Sequence, residues 1–123
     1  MRPAGPIALA LALSACSPKA DAPPPAPTLD CAKGFEALSQ AIATAPRITR
    51  AAKSPGEPYS FYNAEDSRTS FVVTQPGAPG HPAILKQAIG PAGQQTTGCP
   101  FGDRAGYDQL TAYLASLAQR RAP

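Results

Sequence analysis

Sixteen prolines in 123 residues would argue against a packed domain if they were evenly spread. They are clustered. Pro18, Pro23, Pro24, Pro25 and Pro27 crowd the stretch before Asp30. Pro46, Pro55, Pro58, Pro76, Pro79, Pro82 and Pro91 fall between segments that carry apolar periodicity. Proline lacks a backbone N–H and holds φ near −65°, so it does not sit inside a helix or a central strand. The segments between the prolines therefore hold the elements of a single small domain, since 123 residues leave no room for a second core.

Asp30 is placed to cap a helix from Cys31 to Ala45, on which Cys31, Phe35, Leu38 and Ile42 form one apolar stripe. Pro46 ends it, and Gly34 weakens it slightly. Arg47, Ile48, Thr49, Arg50, Ala51, Ala52 and Lys53 read as a solvated connector; if helical, they would gather Arg47, Arg50 and Lys53 on one basic face. From Tyr59 the period becomes two. Tyr59 to Tyr62 and Thr69 to Thr74, separated by polar Asn63 to Arg68, predict a β-hairpin with Phe61, Phe71 and Val73 on the core face and Tyr62 and Val72 on the other.

Ala83 to Ile89 is too short for its period to separate strand from helix, although Pro82 before it and Gly90-Pro91 after it suit a strand better. Gly90 to Gly102 shows no regular pattern. Asp103 then caps a final helix whose Tyr107, Leu110, Leu114 and Leu117 share one face, with Arg120 and Arg121 complementing its C-terminal end. The expected fold is a two-layer α+β domain over residues 30–121, two helices packed on a three-stranded, mostly antiparallel sheet in the order α-β-β-β-α.

The N-terminus has its own signature. Arg2 is a positive start, Ile7 to Leu13 is an uncharged apolar run well short of the roughly 20 residues that span a bilayer, and Leu13-Ser14-Ala15-Cys16 follows. This stretch resembles a bacterial lipobox. The resemblance covers residues 1–16 and implies an address, not an activity: residues 1–15 would be a signal peptide, and Cys16 would carry lipid as the first mature residue. Residues 16–29 would form a proline-rich tether able to hold the domain up to roughly 40 Å from the membrane at about 3.1 Å per residue. Ser17, where an aspartate would signal inner-membrane retention in enterobacterial lipoproteins, implies the outer membrane, facing the periplasm. The expected partners are membrane lipid through Cys16 and an envelope protein.

With Cys16 lipidated, Cys31 and Cys99 remain in an oxidising compartment and are expected to pair. Neither has the neighbours of a metal site or a Cys-x-x-Cys redox motif. Loss of Arg2 with the leader would take the formal charge from +3 to +2, too little to imply nucleic acid.

The inventory of reactive groups is sparse. His81 is the only histidine and stands between Gly80 and Pro82, a turn context, with no Gly-x-Ser-x-Gly elbow anywhere in the chain. Glu65 and Asp66 are adjacent, which does not suit a glycosidase pair. Gly77-x-x-Gly80 and Gly90-x-x-Gly93 lack the Lys-Ser/Thr of a phosphate loop. No enzyme, metal or cofactor is therefore expected. The expected function is a structural or interaction module tethered in the envelope; the alternative is a periplasmic ligand-binding or inhibitor module. In either case the surface expected to recognise a partner is Tyr62, Asn63, Glu65 and Arg68 together with His81 on the Gly77 to Pro82 turn.

Overall fold

A computed structural model describes residues 26–121, so the expected signal peptide, Cys16 and most of the tether lie outside the described residues. A 3₁₀ turn, Cys31–Lys33, leads into α1, Phe35–Thr44. Five strands follow: β1 Ile48–Arg50, β2 Tyr59–Ala64, β3 Thr69–Thr74, β4 Ala83–Gly90 and β5 Gly93–Pro100. The last element is α2, Arg104–Arg121. The strands form one antiparallel meander in the order β1-β2-β3-β4-β5.

The α+β class holds, but the sheet has five strands where three were expected. The two additions are its edges. β1 occupies the segment read as a connector, and its Thr49 pairs with Asn63 of β2. β5 occupies the stretch without pattern; only Cys99 in it is buried, so the apolar alternation that reveals a half-buried strand is missing. Its strand character comes from β4, with which it pairs from Ala83 opposite Pro100 to Gly90 opposite Gly93.

The expected first helix is broken at Gly34. Asp30 does cap, its carboxylate accepting from the Ala32 N–H at 3.1 Å, but it caps the 3₁₀ turn. Gly34 then turns at φ +89°, a conformation glycine adopts without a Cβ penalty, and α1 starts anew at Phe35. Asp103 caps α2 as expected, accepting from the Gly106 N–H at 2.7 Å. The side chains of Arg120 and Arg121 lie outside the described residues.

The helices cover opposite faces of the sheet, giving three layers where two were expected. Leu38 and Ile42 of α1 pack with Tyr62, Phe71, Val73, Ile84 and Cys99. Leu110 and Leu114 of α2 pack with Val72, Ala83 and Leu85, flanked by Tyr59, Phe61, Tyr107 and Leu117. Successive residues of β3 and β4 thus enter different cores, as alternation along a strand requires. The Cys31–Cys99 disulfide ties the 3₁₀ turn to the edge strand β5, with Cα atoms 5.4 Å apart across 68 residues of sequence.

The hairpin faces also need correction. Asn63 stands opposite Ser70, and the six residues between them make odd-numbered positions of β2 share a face with even-numbered positions of β3. Tyr62 therefore joins Phe71 and Val73 under α1, whereas Phe61 joins Val72 under α2.

Candidate functional site

Tyr62 is 8% exposed, a core residue and not the free aromatic that was expected. Its ring lies under the guanidinium of Arg50, 6.0 Å from the centroid. Arg50 in turn donates from Nη2 to the buried Ser60 Oγ at 3.0 Å, which also accepts from Gln75 Nε2 at 3.1 Å. Arg50 is thereby drawn onto the sheet by β1, so the three basic side chains of the connector do not form a helical face.

His81 is held at the start of β4 by a compact polar junction. Thr74 Oγ1 lies 2.7 Å from His81 Nδ1, accepts from the Ala83 N–H at 2.8 Å and donates to the Ala83 carbonyl at 3.1 Å. A hydroxyl has one hydrogen and two lone pairs. With its hydrogen on the Ala83 carbonyl and one lone pair on the Ala83 N–H, the remaining lone pair suits a His81 protonated at Nδ1. Phe35 meets the imidazole edge-on at 5.4 Å and packs against Phe101 at 6.2 Å, so the histidine adjoins an aromatic cluster made by α1 and the residue that follows β5.

Tyr62 and His81 do share a surface. Both line a groove of about 500 Å³ between α1 and the ends of β2 and β3, walled by Phe35, Glu36, Ser39 and Gln40 on the helix and by Gln75 and Pro76 beyond β3. Ser39 Oγ is buried in this wall and has no hydrogen-bond partner among the described residues. A buried polar atom left unpaired costs about 1–3 kcal/mol.

The other expected residues lie elsewhere. Asn63 and Arg68 line a depression of about 330 Å³ with Ser70, Gln87, Ile89 and Gln94. Asn63, Ser70 and Gln87 are opposite one another on adjacent strands and share the face of Phe61 and Leu85, so this depression is on the α2 side of the sheet. Glu65 is exposed in the hairpin loop, where its N–H donates to the Arg47 carbonyl at 3.0 Å. Beside it, Asp66 accepts from the N–H groups of Arg68 at 2.8 Å and Thr69 at 2.9 Å. The Arg68 N–H above all, offset by some burial and helped by the Thr69 hydroxyl and N–H, holds the Asp66 carboxyl below its ordinary range. The surface drawn from sequence is thus two surfaces on opposite sides of the sheet.

Sequence reasoning missed Glu36, Ser39 and Gln40, which lie off the apolar stripe of Phe35, Leu38 and Ile42. Their polarity is consistent with both solvent and groove, and only the placement of α1 distinguishes them. Among the described residues no group of three His, Cys, Asp or Glu side chains is placed to hold a metal ion, and no helix is long and apolar enough to cross a membrane. Comparison of the chain with protein-family models, curated proteins and solved structures returns no match.

Proposed function

We propose that this chain is a lipid-tethered envelope protein whose domain is a binding module, with the groove beside α1 as its docking site for a segment of another envelope protein. The observation that carries this reading is the groove itself. It brings a histidine fixed by Thr74 and the edge of a buried tyrosine together with the polar Glu36, Gln40 and Gln75 and the apolar Phe35 and Val73, the mixture of contacts that recognition of a peptide segment uses. The Cys31–Cys99 disulfide supports an exported location, because such bonds persist in oxidising compartments. The lipobox-like Leu13-Ser14-Ala15-Cys16 supports a lipid anchor, outer-membrane placement being favoured by Ser17. No enzymatic role is proposed.

The test is a photo-crosslinking residue at Gln40 in the full chain, in its own envelope. A discrete protein adduct is expected at Gln40, absent from the same label at Tyr113 on the α2 side and lost with His81→Ala. Tyr62→Phe is the variant to use at the tyrosine, because Tyr62→Ala would remove core volume. No adduct at Gln40, or equal labelling from both sides, would refute the reading. The alternative, a small-ligand or inhibitor module, draws on the depression lined by Asn63, Ser70, Gln87 and Gln94; saturable binding there without any adduct at Gln40 would favour it.

A further inference from the structure

The two edges of the sheet are built differently. β1 is three residues long, is entered through Arg47 at φ +62° and carries Arg50, features that blunt an edge against further pairing. β5 is eight residues long, holds an unbroken register with β4 and bears no charged side chain, and each residue from Gly93 to Thr97 is exposed. A long, exposed, uncharged edge is a template for another strand unless something covers it.

The direction of its free groups can be worked out. The Phe101 N–H donates to the Pro82 carbonyl, so pairing toward β4 recurs at every second residue: Cys99, Thr97, Gln95 and Gly93 turn their backbone groups inward. Gln94, Thr96 and Gly98 turn theirs outward. Pro100 stands at the next outward position, where its missing N–H ends the usable edge. Gly98 is the most enclosed of the three, with Cys31 Sγ 3.8 Å from its carbonyl oxygen.

We propose that β5 pairs antiparallel with β5 of a second copy of this chain, about a two-fold axis at Thr96, giving a continuous ten-stranded sheet. Only that centre uses all three outward residues, Thr96 facing its own copy and Gln94 facing Gly98 in both directions, for about six backbone hydrogen bonds. The occupant is a second copy because β5 meets the requirements it imposes: it is extended, uncharged and open along the same residues, so self-pairing brings no like charges together. The symmetry also closes. Once both β5 edges are used, the edges left are the two short, arginine-bearing β1 strands, so assembly stops at a dimer.

A second feature fits the same geometry. Thr49, Asn63, Ser70, Gln87 and Thr96 stand opposite one another in register across all five strands, a row of neutral hydrogen-bonding side chains on the α2 face. The two-fold at Thr96 continues this row into its copy without a break, so the polar depression of each protomer faces one shared surface.

The test is disulfide trapping of the full chain in its membrane. Thr96→Cys is expected to give a covalent dimer on oxidation, since residues opposed in a hydrogen-bonded pair have Cα atoms about 5.5 Å apart, within disulfide reach. Gln95→Cys, directed to the α1 face and opposite Thr97 of the copy, is expected to give little. Thr96→Lys, which sets two like charges face to face, should weaken dimerisation by about fivefold in native mass spectrometry, with the thermal midpoint unchanged when both proteins are diluted until they are monomeric. Thr49→Lys on the other edge should not weaken it. A monomer at all concentrations overturns the proposal. So does a dimer insensitive to Thr96→Lys, or one trapped better through Gln95→Cys, and a Thr96→Cys adduct with a different protein would assign the edge to a peptide partner instead.

Discussion

Breaking the Cys31–Cys99 bridge should cost this domain a large part of its stability, in a way that separates the crosslink from the packing of its sulfur. The bond closes a separation of 68 residues, for which the chain-entropy model gives about 4 kcal/mol of destabilised unfolded ensemble. A domain of this size loses roughly 20 °C in melting temperature for such a change. The two half-cystines are not equivalent: Cys31 is exposed and Cys99 is 0% exposed within the α1 core. Reduction, or Cys31→Ala, removes the crosslink and leaves the Cys99 sulfur filling its site. Cys99→Ala removes the sulfur as well and should cost about 1 kcal/mol more for the space it opens. Calorimetry or circular dichroism of the oxidised chain, the reduced chain and both variants would measure this. A fall of less than about 5 °C on reduction would refute the argument that loop closure carries the stabilisation. Equal midpoints for Cys31→Ala and Cys99→Ala would refute the packing asymmetry.

Other outcomes follow from single residues. Gly106→Ala, which helix propensity alone would favour by up to about 1 kcal/mol, should instead destabilise by about 2 kcal/mol in urea unfolding, because a Cβ there meets the backbone of Gly80. Thr74→Val keeps the shape but strips the junction that serves Ala83 and His81; a loss of about 2 kcal/mol is expected, with the His81 ring resonances shifted in NMR spectra. Asp66 has a folded pKa below its unfolded value, so its contribution is complete above about pH 4 and disappears as pH falls through the folded pKa. The midpoint difference between wild type and Asp66→Asn, under about 1 kcal/mol at so exposed a site, should shrink accordingly in acid. Cys16→Ser should release the protein from membranes or block its maturation, read by membrane partition and intact mass; unchanged values for both would end the lipoprotein reading.

Much of the domain's interior is legible in the chain itself. The stripe Tyr107, Leu110, Leu114 and Leu117 marks a helix because each residue lies on one face at helical spacing, and two of them reach the α2-side core fully. Thr69 to Thr74 reads as a strand because β-branched and aromatic residues fill it. The edges are not legible. Gln94, Gln95, Thr96 and Thr97 carry no apolar alternation, as a strand that neither helix covers has no need of it. Ile48 to Arg50 is too short to show a period at all.

The candidate site divides along the same line. Residue type alone singles out Tyr62, His81, Asn63, Glu65 and Arg68 as chemically able to recognise something, and the cysteines as a pair. Which of them meet depends on register: pairing Tyr62 with Phe71 sends it under α1, beside His81, while Asn63 and Arg68 go to the α2 side. Local sequence determined the elements because propensity, caps and periodicity act within a few residues. Tertiary structure decided the faces, the edges and the groove, since a strand's sidedness and a helix's neighbours are set by partners distant in the chain, and a one-residue change in register reverses every side chain.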